Sequence, residues 1–98
     1  MRRGGMMAYW VYIVECADGT YYTGIARDVQ RRLMEHNGAN GKGARYTSAR
    51  RPVRLMYEAA FESRSAALKA EIRIKRLNRR EKEMLIARRP RDVKAVDA

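Results

Sequence analysis

The sequence predicts an α+β fold: a three-stranded antiparallel sheet with flanking helices, in the order β-β-α-β-α-α. Three observations predict it. Two short apolar runs flank an Asp-Gly turn near the start of the chain, a run of clean alternation lies in its middle, and the stretches after that run carry helical spacing. Packing helices on a small sheet is the economical way to bury such faces.

Trp10 to Cys16 is rich in β-branched and aromatic residues and reads as a strand. Ala17-Asp18-Gly19-Thr20 is the turn, with Asp-Gly at its core, and Tyr21 to Ile25 is the returning strand of a hairpin. Asp28 suits the N-cap of a helix running to about Asn37. Val29 and Leu33 form its apolar face, and Gly38 suits its end. Residues 38–52 are glycine-rich and basic and read as a long loop, the kind that often carries function. Val53 to Phe61 alternates, so Val53, Leu55, Tyr57, Ala59 and Phe61 are expected on one core face.

Ser63 caps a helix to about Leu77 in which Ala67, Ala70, Ile74 and Leu77 share a face. Asn78 caps a last helix, Arg79 to about Ala87, with Met84 and Leu85 as its apolar contacts and Pro90 as its breaker. Residues 1–8 read as a disordered extension, 9–88 as a single domain and 89–98 as a disordered tail.

Charge narrows the function. The chain has 98 residues, with 22 Lys+Arg against 11 Asp+Glu and a net charge of +11. Such an excess binds polyanions through counterion release. A membrane surface would also attract it, but the basic helices carry Ala, Ile and Leu without Trp or Phe, and no apolar run approaches the roughly 20 residues needed to span a bilayer. Nucleic acid is therefore the expected partner and no membrane is. Cys16 is the only cysteine, which excludes an internal disulfide, suits a reducing cytoplasm and reads as a buried structural thiol. With one cysteine and one histidine a structural zinc site is excluded, and neither a phosphate-binding GxxxxGK[ST] loop nor a GxGxxG run is present.

Three features carry candidate chemistry. Arg32 and His36 lie one helical turn apart and border the buried stripe; an arginine fork matches phosphate oxygens, and a neutral imidazole accepts a proton near pH 7. The plain alternative is a solvated basic face. Glu71 sits at the edge of an apolar stripe, where a carboxylate needs an ion pair, such as Lys75, or a metal. Tyr12 and Tyr22 lie on adjacent strands, a placement that suits cross-strand packing. Catalysis by either would need a partner base, because the ordinary tyrosine pKa is about 10.

Trp10-Val11-Tyr12, Tyr22-Thr23-Gly24, Arg32, His36-Asn37 and Glu71, in that order and spacing, resemble the pattern of the GIY-YIG endonuclease family. The resemblance covers roughly Tyr9 to Arg88. More narrowly the chain is similar to small stand-alone bacterial members, themselves similar to the nuclease domain of the structure-specific endonuclease subunit Slx1. Two departures stand out: the first motif lacks its glycine, and the second reads Tyr-Thr-Gly where the family has Tyr-Ile-Gly.

The resemblance implies the GIY-YIG fold and a metal-dependent endonuclease acting on DNA, in preference to RNA, and on branched or structured DNA in particular. It implies that Glu71 holds one Mg²⁺ or Mn²⁺ and that Arg32 neutralises phosphate charge. Tyr12 or Tyr22 would orient or deprotonate the attacking water, with His36 assisting. Lys42, Arg45, Arg50 and Arg51 would track the backbone, and Tyr46 would stack on a base. The alternative is a non-catalytic DNA- or RNA-binding module on the same fold. A protein partner or a second copy, docking on Met84, Leu85 and Ile86 of the last helix, is a third reading.

Overall fold

The computed structural model describes residues 8–88. Of the extension expected over residues 1–8 and the tail expected over 89–98, all but Ala8 lies outside the described residues. The elements are β1 (Tyr9–Glu15), β2 (Tyr21–Ala26), α1 (Val29–His36), α2 (Arg45–Ser48), β3 (Arg54–Phe61), α3 (Arg64–Lys75) and α4 (Arg79–Arg88), with a single 3₁₀ turn at Ala39–Gly41. The α+β class and the antiparallel three-stranded sheet are as predicted; α2 is additional.

The strand order is β2-β1-β3, so β1 is central and pairs antiparallel with both neighbours. The hairpin turn is tied by the Asp18 carboxylate, which accepts from the Thr20 amide at 3.1 Å and the Thr20 hydroxyl at 2.6 Å. The predicted caps are in place. Asp28 accepts from the Arg31 amide and Ser63 from the Ala66 amide, each at 3.1 Å. Asn78 and Glu81 form a reciprocal capping box, each side chain accepting the other's amide at 2.9 Å.

The sheet separates two apolar clusters. Val11, Ile13, Tyr57 and Ala59 bury one face against Ala67, Ala70 and Ile74 of α3 and Ile86 of α4. Tyr12, Val14 and Cys16 bury the other with Val29 of α1 and with Val53. The Cys16 thiol is free and buried, as expected.

The single core face expected for 53–61 is corrected. Ile13 pairs with Tyr57 but Val14 pairs with Leu55, so Met56 is an extra residue and β3 bulges there. Side chains alternate with period two, so one inserted residue exchanges the faces. Val53 and Leu55 therefore pack on the α1 side, away from Tyr57, Ala59 and Phe61. On α4 the buried residue is Ile86, with Leu85 packed against the core, whereas Met84 is 59% exposed and not the contact expected.

Residues 38–52 leave the body of the fold and return to the same place. The Asn37 side chain closes the excursion by pairing with the backbone of Val53: its Nδ2 donates to the Val53 carbonyl at 3.0 Å and its Oδ1 accepts the Val53 amide at 2.7 Å. The segment read as a loop folds at its centre into α2. Four residues are too few to show a period or to be stable alone; the contact of Thr47 with α1 holds them.

Candidate active site

The residues that converge come from β1, β2, α1 and α2. His36 stands three residues after Leu33 and seven after Val29, so it continues the apolar stripe of α1 and is fully buried. The expectation that Arg32 and His36 together border this stripe is corrected: Arg32 borders it, and His36 is inside. A buried imidazole needs partners for both nitrogens. The Tyr12 hydroxyl lies 2.7 Å from His36 Nε2, and Thr47 Oγ1 lies 2.8 Å from Nδ1.

Two glycines make these contacts possible. Gly24 is paired with Tyr12 across β1 and β2, and a Cβ there would fall 2.5 Å from the Tyr12 hydroxyl oxygen. No other residue leaves room for this phenol, which gives the glycine of Tyr22-Thr23-Gly24 a steric role. Gly43, at φ +124°, lets the chain run against the end of α1, where a Cβ would meet the Glu35 carbonyl oxygen at 2.6 Å. That close passage delivers α2, and with it Thr47, to His36.

The electrostatics follow from burial and from Arg32. Desolvation, aided by the charge of Arg32, holds the His36 pKa down to about 4, so the ring is neutral at pH 7. Desolvation pushes the Tyr12 phenol up to about 12, while the nearby Arg32 guanidinium acts in the opposite direction. Arg32 is itself aimed: its Nη1 donates to Glu35 Oε1 at 2.9 Å. That bond, before the charges of Arg32 and Arg31, holds the Glu35 carboxyl below its usual range.

Aromatic rings wall the group. Tyr22 presents an edge contact to His36, centroids 5.2 Å apart, and stacks on Tyr46 at 5.8 Å and 24°. The Arg50 guanidinium lies 3.9 Å from the centre of the Tyr46 ring. Arg50 also donates to the Tyr46 carbonyl at 2.8 Å and to Asp18 at 3.0 Å, which ties α2 to the hairpin turn.

Over residues 8–84 the chain matches the GIY-YIG catalytic domain. The protein belongs to the GIY-YIG family. It is 55% identical over 75 residues to a UPF0213 protein of Halobacterium salinarum, covering 76% of this chain and 95% of that one. With a UPF0213 protein of Staphylococcus saprophyticus it is 48% identical over 82 residues, 84% of this chain and 98% of the other. The solution structure of the UPF0213 protein BH0048 from Bacillus halodurans aligns with a TM-score of 0.53 at 48% identity, covering 83% of this chain and 84% of that one. The E. faecalis protein EF2693 aligns at 0.58 and 37% identity over the same shares. The relatives are thus small GIY-YIG proteins, and their names state neither activity nor substrate.

Within this GIY-YIG domain the expected site residues fall into three groups. Tyr12, Tyr22, Arg32 and His36 come together, and Tyr46 joins them through Tyr22. Lys42 and Arg45 are exposed on the 38–52 excursion. Arg50 is held in the latch to Asp18, and Arg51 donates to the His36 carbonyl at 2.7 Å. Glu71 comes from α3, and its carboxylate is 3.0 Å from the Lys75 ammonium.

Among the described residues no group of three His, Cys, Asp or Glu side chains converges on a metal position. A single carboxylate nevertheless fits a hard, water-rich ion such as Mg²⁺, which takes few protein ligands, and fits no closed cage. Sequence reasoning missed Glu35, Gly43 and Thr47. The spacing of His36 from Val29 and Leu33 announced its burial; Thr47 carried no local signal.

Proposed function

We propose that this protein is a divalent-metal-dependent endonuclease that hydrolyses phosphodiester bonds in DNA, branched or structured DNA in particular, as in the Slx1 nuclease domain. The observation that carries this reading is the Tyr12 hydroxyl, 2.7 Å from Nε2 of a buried, neutral histidine and beside Arg32.

Tyr12, raised to about 12, does not ionise by itself at neutral pH. It accepts a proton from the attacking water as its own proton moves to His36 Nε2. The electron pair left on the water oxygen forms the new P–O bond. The leaving oxygen departs with its bonding pair and takes a proton from solvent. His36 becomes a better base as substrate arrives: Arg32 is a cause of its low pKa, and a phosphate oxygen on the Arg32 fork neutralises that charge. The same contact stabilises charge on the phosphate in the transition state.

Glu71 would hold one Mg²⁺ or Mn²⁺ on release from Lys75, whose side chain is 53% exposed and free to swing. When bound, the ion supplies further charge neutralisation at the phosphate. Lys42, Arg45, Arg50 and Arg51 would follow the backbone, and Tyr46, 38% exposed, would take a base in place of the Arg50 guanidinium that lies over its ring. No helix among the described residues is long and apolar enough to cross a membrane. A free Cys16 thiol suits the cytoplasm. A protein partner or second copy would meet the exposed Met84 of α4.

The test is nicking of labelled branched, nicked and single-stranded DNA, and of RNA, with and without Mg²⁺ or Mn²⁺. Wild type should cut DNA only with metal. Tyr12→Phe should cut ~10²–10⁴-fold more slowly, and Glu71→Ala should not cut. Binding without cleavage in every condition, equal with and without metal, would establish the non-catalytic DNA- or RNA-binding module instead.

A further inference from the structure

We propose that Thr47 is a positioning residue of this site: its hydroxyl holds His36 in the tautomer with its proton on Nδ1, leaving Nε2 bare to receive the proton of Tyr12. The catalytic consequence rests on the nuclease reading above; the tautomer does not.

Four groups form one chain of hydrogen bonds, with the Arg32 charge near its Tyr12 end. The Tyr12 hydroxyl lies 2.7 Å from His36 Nε2, His36 Nδ1 lies 2.8 Å from Thr47 Oγ1, and Thr47 Oγ1 lies 3.0 Å from the Ala44 carbonyl oxygen. The middle members can each donate or accept, so their directions are open when taken singly. The last member cannot: a carbonyl only accepts.

Polarity is therefore set from the carbonyl end. Thr47 has a single proton, which goes to the Ala44 carbonyl, so its lone pair receives Nδ1–H. A neutral imidazole carries only one N–H, so Nε2 is left bare and accepts the Tyr12 proton. Tyr12 is 2% exposed, and Nε2 is the acceptor its hydroxyl finds in this chain.

The reverse arrangement, with Nε2–H donating to Tyr12, would leave the phenol proton of a 2% exposed residue without an acceptor in this chain. It would also block transfer from Tyr12, because Nε2 would already be protonated. Thr47 thus does for His36 what an orienting carboxylate does for the histidine of a hydrolase triad. Ala44 and Thr47 both belong to the 38–52 excursion, so a basic segment expected to contact the backbone also sets the protonation of the base.

His36 is the only histidine in the chain, so the nitrogen NMR shifts of its ring can be read in the full-length protein without assignment ambiguity. Wild type and Thr47→Ser, which keeps the hydroxyl, should show a protonated Nδ1 and a bare Nε2. Thr47→Val, close in shape but without a hydroxyl, should move the proton toward Nε2. It should also lower kcat ~10²-fold or more with KM little changed, while Thr47→Ser recovers most of the rate.

A protonated Nε2 in wild type, or an unchanged tautomer and kcat in Thr47→Val, would overturn the proposal. If Thr47→Val does not fold, the tautomers of wild type and Thr47→Ser decide. If wild type cuts no DNA, the nuclease reading fails and the ring shifts still decide the role of Thr47.

Discussion

The two faces of the sheet bury tyrosines in opposite ways. On the α3 side, Tyr57 sits among Val11, Ile13, Ala59, Ala67, Ala70 and Ile74, and its buried hydroxyl has no hydrogen-bond partner among the described residues. On the α1 side, Tyr12 is equally buried, but its hydroxyl enters a chain of partners running through His36 and Thr47 to a backbone carbonyl. Burial lifts both phenols to about 12. A raised tyrosine pKa therefore does not mark a reactive group; an acceptor placed to take its proton does. The α3 face is held by shape and apolar area, and the α1 face by directed hydrogen bonds.

The largest break in this contrast is expected from Gly24→Ala. The new Cβ occupies the place of the Tyr12 hydroxyl, so the phenol must leave Nε2. Cleavage should fall by ~10²-fold or more, since small misplacements of reacting groups have effects of that order. Overpacking should cost ~1–3 kcal/mol in denaturant unfolding. Retained activity would show that the Tyr12–His36 contact is dispensable.

Acid should act through the α1 face. The folded pKa of His36, about 4, lies below its ordinary 6.5. Between these values the unfolded chain binds a proton that the folded chain refuses, so stability falls as pH falls. The contribution is fully present above pH 6.5 and is lost on approaching pH 4, reaching up to about 3 kcal/mol at 1.36 kcal/mol per unit. Asp18 and Glu35, both held below the usual carboxylate range, extend the loss at lower pH. Urea midpoints measured from pH 7.5 to 4 check this, and a flat profile would place the ring in contact with water.

The smallest effect is expected at Tyr57. Tyr57→Phe removes an unpartnered buried hydroxyl at constant shape, so it should leave cleavage unchanged and raise stability by ~1 kcal/mol. Loss of stability would reveal a partner for that hydroxyl.

Much of the fold was legible because its signals are local. The Asp-Gly turn between two β-branched runs specified the hairpin, and Asp28, Ser63 and Asn78 each announced a helix start within one turn. The bulge at Met56 was not legible, because alternation in 53–61 looks continuous until β1 imposes its register. Nor was α2, whose four residues owe their helical form to a contact with α1.

The candidate site divides in the same way. Tyr12, Tyr22, Arg32 and His36 were all named from residue type and order, and the fold brings them together. Thr47 was missed because its meaning lies in a partner eleven residues away, beyond any helical or strand period.

By itself, then, the sequence determined the order and type of the principal elements, their caps, the cationic character of the chain and the residue types available for phosphate chemistry. Each of these is encoded within a turn, a pleat or a sum of charges. Only the tertiary structure decided that His36 lies in the interior, that Gly24 makes room for a phenol and that Thr47 is brought to His36 Nδ1. Those facts depend on which distant residues meet, and steric fit and hydrogen-bond polarity acquire values only once they do.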